Sequence, residues 1–271
     1  MAGGRGAGIR RVLKGKEQHY LRRHRAHDVD AVLRRWKAVA RSAKLEMEVI
    51  AEEGGYPVAV LANEGAPADR PALYVSAGIH GDEPAAVSGL LEWAERRVAF
   101  LKAARVVIVP CLNPWGLVHN SRVDHAGRDL NRMFEGAGGG AVRPLLRYLD
   151  GREFSMAVSL HEDFDAAGVY VYELARRGDY HGEELLAAVE KEIPRHPGSV
   201  EGRRAENGVL RRTRGIEHIA EQIDGTPESI HLFLHHARTA MTFETPSEFS
   251  LYRRVRAHEA FLEGVRKMMS R

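Results

Sequence analysis

Four short apolar runs in this chain each stop at a polar residue able to do chemistry. "ALYVSAG" leads into His80 and Glu83, "ARVVIVPCLNP" carries Asn113, "FSMAVSLHE" ends on His161 and Glu162, and "TAMTFET" holds Glu244. Runs this short and this apolar suit strands buried on both faces between helical layers. Helical patterns separate them: Ala85 to Phe100, Val142 to Leu149, Asp179 to Ile193 and Pro227 to His236. Ahead of them, "LEMEVIAEEGGYPVAVLANE" reads as a hairpin turning at Gly54-Gly55. The alternation predicts an α/β fold, a single domain with a mixed, mostly parallel central sheet flanked by helices.

The flanks are equally patterned. Asp28 to Lys44 reads as an amphipathic helix with Val29, Leu33, Trp36 and Ala40 on one face. Leu251, Val255, His258, Leu262, Val265 and Met269 recur at spacings of four and three, one face of a long closing helix. "TPSE", Thr245 to Glu248, fits a capping box for that helix, with proline at its first position. Pro194 to Gly215 reads as an irregular, basic loop, and the Gly-rich "EGAGGGA" as a connector, since it lacks the Lys-Ser/Thr of a phosphate loop. No repeat or linker divides the chain. Residues 1–271 therefore read as one domain, with 1–44 a basic helical extension packed on it.

Composition excludes several functions. With 40 basic and 37 acidic residues the net charge is only +3, which argues against a dedicated nucleic-acid binder. The basic stretch from Arg5 to Arg41 carries no module signature or interleaved aromatics and reads as a solvated segment. The one cysteine, Cys111, lies in an apolar run and is expected to be a packed core thiol; no internal disulfide is possible. No apolar run has signal-peptide or membrane-spanning length, so the expectation is a soluble cytoplasmic protein with no membrane partner. Nothing in the sequence sets an oligomeric state.

In sheets of this kind ligands gather outside the carboxyl ends of the strands, where His80, Glu83, His161 and Glu244 are all placed. Pro84 suits the start of the following helix, which sets Glu83 at a helix N-terminus. His80 and Glu83 are then either two zinc ligands with His161 as the third, or a loop histidine and a helix-start acid. A second histidine group, His231, His235 and His236, lies on a predicted helix. It has no accompanying glutamate in an H-E-x-x-H arrangement and is read as partly buried or surface histidines.

The segment "NPWGLVHNSRVDHAGRDLNRMF" tips the balance. Together, "GIHGDEP", "NPWG", an Arg followed by "GRDLNRMF", "SLHED" and "TFET", in that order over residues 78 to 245, resemble the M14 zinc metallocarboxypeptidases and the related succinylglutamate desuccinylase/aspartoacylase group. The resemblance implies a zinc-carboxypeptidase-like fold and one zinc ion held by His80, Glu83 and His161. It further implies Glu244 as general base, Arg122 polarising the scissile carbonyl, and Asn131 with Arg132 gripping the substrate's free carboxylate. Asp129 is expected to support the loop or a ligand histidine. Glu162 and Asp163 are either supporting or substrate contacts, or loop acids. The family's mobile tyrosine has three candidates here, Tyr170, Tyr172 and Tyr180. Trp115 departs from the common Asp, which leaves the shape of the nearby pocket open.

The chemistry is coherent on its own. Zinc lowers the pKa of a bound water towards ~7 and polarises a carbonyl. A carboxylate beside it can take the water's proton and pass it to a leaving amine, and an arginine fork suits a carboxylate. Two substrates share this machinery: a peptide cut at its C-terminal amide bond, or an N-acyl amino acid. "NPWG" and the single closing helix after Glu244 favour the carboxypeptidase, with the deacylase as the alternative. A binding protein that lost turnover is disfavoured, because every expected ligand and the base are present.

Overall fold

A computed structural model describes residues 14–136, 138–212, 216 and 224–270. Residues 1–13 of the basic segment, Ala137 of the Gly-rich connector and residues 213–215 of the basic loop lie outside that set.

The opening hairpin forms as its sequence dictates. Strands β1 (Glu46–Glu53) and β2 (Tyr56–Ala62) pair antiparallel across Gly54 and Gly55, whose φ angles of +56° and +89° few other residues would tolerate. The apolar runs become β3 (Ala72–Ala77), β4 (Arg105–Val109), β5 (Phe154–Asp163) and β10 (Ala237–Pro246). Together with β6 (Tyr170–Ala175) and β9 (Val209–Arg211) they build one eight-stranded sheet in the order β1-β2-β4-β3-β5-β10-β6-β9. The central pairings β4–β3, β3–β5 and β5–β10 are parallel, whereas β10–β6 is antiparallel.

One face of the sheet buries Leu73, Val75, Val158, Leu160, Met241 and Phe243 against helices Val29–Ala43, Pro84–Arg96 and Leu251–Met269. The other face buries Tyr74, Val107, Ala157 and Ala240 against helices Val142–Leu149 and Glu228–His235. The chain is thus a single α/β domain with helices on both faces. From β3 the chain crosses to β4 on one side, and β5 lies on the other. The strand order therefore reverses between β3 and β5, the place where sheets of this kind form a ligand crevice at their carboxyl ends.

Several boundaries moved. The expected capping box at Thr245–Glu248 does not form. Parallel pairing of Thr245 with Glu162 and of Pro246 with Asp163 keeps these residues extended, and the Thr245 hydroxyl meets His258 Nε2 at 3.1 Å. The closing helix starts five residues later, at Leu251, with Ser250 as its N-cap and no side-chain capping bond. The predicted helix Asp179–Ile193 shortens to Gly182–Val189. Within the loop read as irregular, β7 (Ser199–Val200) and β8 (Arg203–Arg204) pair as a small hairpin and β9 joins the sheet edge. These strands are too short for two-residue alternation to register. Cys111 is buried in the core, its thiol pushed up to about 12 by that burial. Among the described residues no helix is long and apolar enough to cross a membrane.

Candidate metal centre

His80 reaches the crevice because β3 ends in a tight bend. Gly78 adopts φ +63°, and a Cβ there would press within 2.7 Å of Val87 and 2.8 Å of the Cys111 sulfur. Gly81 is needed for space: a Cβ would overlap the main chain of Gly116, and Gly81 N–H donates to Ser121 O at 3.0 Å. The glycines of "GIHGDEP" and "NPWG" thus meet backbone to backbone, so the two motifs are halves of one packing contact. Pro84 opens the next helix and Glu83 is its N-cap.

The three expected ligands converge from β3, the helix start and β5. The ligand atoms of His80, Glu83 and His161 lie within 4.8 Å of one another and all three residues are buried. His80 Nδ1 is 2.6 Å from Glu83 Oε1, and His161 Nδ1 is 3.1 Å from Glu83 Oε2. Glu83 Oε2 has no well-aligned hydrogen-bond donor although it is buried. A buried carboxylate with one oxygen orphaned and an imidazole nitrogen beside each oxygen suits a cation: the donor set is the His₂Glu set of catalytic zinc sites. Asp129 Oδ1 takes the other side of the His80 ring, 3.2 Å from Nε2, which fixes the ring with Nδ1 turned inward.

Electrostatics follow from this closeness. Burial opposes charge on His80, yet Glu83 and Asp129 outweigh it and hold the ring up at about 9. Burial would likewise raise Glu83, but His80 and His161 hold its carboxyl well below the usual range. Protons on the imidazoles therefore stand where a divalent ion would otherwise balance Glu83, and binding the ion would release them.

Glu244 sits on β10 in register with His161 on one side and Tyr170 on the other, so these side chains share a face of the sheet. Burial pushes its carboxyl up to about 8; His161 pulls it back, and Glu83 and Asp163 add to the rise. Arg122 lies over the cluster, its Nη1 3.3 Å from His80 Nδ1 and 4.0 Å from Glu83 Oε1, and it pairs with Asp129 at 3.0 Å. Asn131 and Arg132 occupy the single turn Leu130–Arg132 that follows Asp129, which accepts from Asn131 N–H at 2.9 Å. Asn131 Oδ1 is already taken by the Glu228 main-chain N–H at 2.9 Å, leaving its amide N–H₂ as the donor for a ligand. Arg132 has no carboxylate within ion-pair distance among the described residues; its guanidinium donates only to Asn131 O, at 3.0 Å.

The remaining candidates separate cleanly. Asn113 is structural: it caps helix Pro114–His119, and its amide donates to Arg122 O at 3.3 Å. Trp115 lies over Gly54 and stacks on His119 at 4.3 Å, so its departure from the common Asp fills the hairpin contact. Glu162 is a support: it accepts from Ala85 N–H at 2.6 Å, at the helix start that carries Glu83, and pairs with Arg254. Asp163 accepts the Tyr170 hydroxyl at 2.7 Å, and Tyr172 reaches Glu201 at 3.1 Å. Of the three tyrosines, Tyr170 is the one beside Glu244, whereas Tyr180 lies under Arg211. His231, His235 and His236 gather with ring centroids 4.7 to 6.3 Å apart, but they do not form a ligand cluster among the described residues. Sequence reasoning passed over Glu228, an acid inside a predicted helix with no motif around it, and also Glu53 and Asp124, which form a second cluster with His125.

Residues 69–168 match the succinylglutamate desuccinylase/aspartoacylase catalytic domain family. No curated protein matches the chain. Among solved structures, a candidate metallopeptidase from Shewanella amazonensis is 23% identical with a TM-score of 0.79, over 90% of this chain and 94% of that one. A metallo-carboxypeptidase from Pseudomonas aeruginosa, in complex with (2-guanidinoethylmercapto)succinic acid, is 19% identical with a TM-score of 0.56, over 86% and 68%. The murein-tripeptide amidase of Escherichia coli O157 is 18% identical with a TM-score of 0.53, over 82% and 91%. The chain has a metallo-carboxypeptidase-type fold. Its motifs make it similar to the M14 zinc carboxypeptidases and to their desuccinylase/aspartoacylase relatives.

Proposed function

We propose that the protein is a zinc-dependent metallocarboxypeptidase that hydrolyses the C-terminal amide bond of a peptide. The observation that carries this reading is a convergence of side chains: His80, Glu83 and His161 cluster, Glu244 stands in register beside His161, and Arg122, Asn131 and Arg132 belong to one loop beside them. His80, Glu83 and His161 would hold one zinc ion, which when bound supplies an acidified water and a Lewis acid. Glu244 accepts the water's proton and returns it to the departing amine; its raised pKa matches a group that must do both near neutral pH. Arg122 steadies the oxyanion, and its tie to Asp129 keeps the guanidinium over the ligands. Arg132, which has no carboxylate partner among the described residues, offers its fork to the substrate's terminal carboxylate, with the Asn131 amide beside it.

The match of residues 69–168 to a desuccinylase/aspartoacylase catalytic domain favours a second reading, a deacylase of N-acyl amino acids. The two part on one experiment. Zinc-loaded protein is assayed against a short-peptide library and a set of N-acyl amino acids, with Glu244→Gln as control. Release of C-terminal residues supports the carboxypeptidase, and release of carboxylic acids alone replaces it with the deacylase. Turnover of neither set, or a Glu244→Gln variant as fast as wild type, removes the mechanism.

A further inference from the structure

Next to the ligand cluster, Glu228 is 1% exposed and forms no ion pair among the described residues. Its carboxylate accepts three hydroxyls: Tyr74 at 2.6 Å, Ser76 at 2.7 Å and Ser159 at 2.7 Å. Ser76 and Ser159 are register partners on β3 and β5, two strands that lead to His80 and His161. Burying a carboxylate this deeply costs more than an apolar side chain of similar size, even with three good donors. A helix needing only an anchor to the sheet would be better served by leucine.

What the carboxylate fixes is the helix start, and that start holds the substrate-gripping turn. The Glu228 main-chain N–H donates to Asn131 Oδ1 at 2.9 Å. The residues just before it run along the same turn. Thr226 N–H donates to Arg132 O at 3.1 Å, Phe134 N–H donates to Thr226 O at 3.1 Å, and Gly225, at φ +88°, lies so close to the Arg132 carbonyl that a Cβ would overlap it. Both gripping residues are thus clamped by the segment that Glu228 pins to β3 and β5.

We propose that Glu228 is a positioning residue, whose buried carboxylate locks the start of helix Glu228–His235 onto the sheet so that the Asn131 amide is aimed at the substrate carboxylate. The inference rests on the hydrolase reading above and extends it to a residue outside the ligand set. Asn131 has one oxygen and one N–H₂ group. Tying the oxygen to a rigid donor decides which end faces the substrate. The position of Glu228 relative to Ser76 and Ser159 then sets the distance between the carboxylate grip and the metal ligands at the ends of the same strands.

The test is a double-mutant cycle between Glu228→Gln and Asn131→Ala on zinc-loaded protein. It uses the best carboxylate-bearing substrate and its carboxamide counterpart, and follows zinc content and the unfolding midpoint alongside. Glu228→Gln is expected to lower kcat/KM for the carboxylate substrate roughly tenfold, mostly through KM, with zinc content unchanged and the carboxamide rate unchanged within about twofold. On the Asn131→Ala background the same substitution is expected to add less than about twofold. Losses that multiply, or equal losses on both substrates, would overturn the role. If Glu228→Gln does not fold, the Ser76→Ala/Ser159→Ala variant goes through the same cycle, with the same outcomes deciding. Wild-type protein that turns over neither substrate overturns the hydrolase reading and this inference with it. Additive losses in an active enzyme overturn the inference alone.

Discussion

Two clusters of histidine and carboxylates in this protein look alike by residue type. His80, Glu83 and His161 form one; Glu53, Asp124 and His125 form the other, and in each the ligand atoms fall within 4.8 Å of one another. Their surroundings differ. In the second, Arg128 Nη2 is 2.6 Å from Asp124 and 3.9 Å from Glu53, His125 pairs with Glu53, and the N–H groups of Ala126 and Arg128 fill Asp124 Oδ1 at 2.9 and 2.8 Å. A guanidinium already pairs with both acids, and Gly140 packs against the group. In the first, Arg122 is half-exposed and tied chiefly to Asp129, and a buried Glu83 oxygen lacks an aligned donor. Residue type alone therefore does not make a metal site. What marks the first group as the candidate is a buried carboxylate oxygen without an aligned donor, together with placement at the sheet's switch point. The contacts of the second cluster join the β1–β2 hairpin to the loop bearing Arg122 and Asp129, the arrangement of a brace.

Substitutions should separate the two clusters. The largest effect is expected for His161→Ala, which should carry no stoichiometric zinc by metal analysis and have activity at the detection limit. His125→Ala should keep both; zinc loss in His125→Ala but not in His161→Ala would invert the assignment. Next, Glu244→Gln should retain zinc yet lose about 10²–10⁴-fold in kcat, the usual range for a general acid–base group. Arg128→Ala strips the brace of its cation and leaves Asp124 buried without it. Urea unfolding should register a loss of about 3 kcal/mol, with zinc content unchanged. A stability change within ~0.5 kcal/mol would make the brace an ordinary surface pair. Asp129→Asn should weaken zinc affinity by about 10–100-fold, measured by chelator competition, because it loosens the His80 ring without removing a ligand.

The smallest expected effect concerns pH. His258 is fully buried on the closing helix and burial lowers its pKa from 6.5 to about 3. The unfolded chain then binds the proton more readily than the folded one. The contribution is intact above pH 6.5 and fades as pH falls towards 3. Metal-free protein should lose about 2 kcal/mol between pH 7 and pH 5 from this group, and His258→Met should flatten that part of the profile. An unchanged slope in the variant would assign the acid sensitivity elsewhere.

Much of the crevice was legible because its residues sit at strand ends within motifs. "GIHGDEP" and "SLHED" placed His80, Glu83 and His161, and these are brought together as expected. Arg122 lies in a loop and was expected only from the motif resemblance; its guanidinium stands 3.3 Å from His80 Nδ1. Asn131 was expected as a ligand to substrate, but half of its amide is spent on Glu228. Glu228 carried no local signal, since its partners Tyr74, Ser76 and Ser159 lie 69 to 154 residues away. The "TPSE" start of the closing helix failed for a related reason. A capping pattern is local and weak, and parallel pairing with β5 outweighed it.

By itself the sequence determined the alternation of buried strands and amphipathic helices, the Gly-Gly hairpin and the polar residues that each strand delivers to its carboxyl end. Those are fixed by local geometry: side-chain period, glycine at positive φ, proline at helix starts. Only the tertiary structure decided which acids meet an arginine, which carboxylates serve as caps or clamps, and where Trp115 points. These depend on groups distant in sequence meeting in a desolvated space, where an unmatched charge is costly and each neighbour's identity sets the outcome.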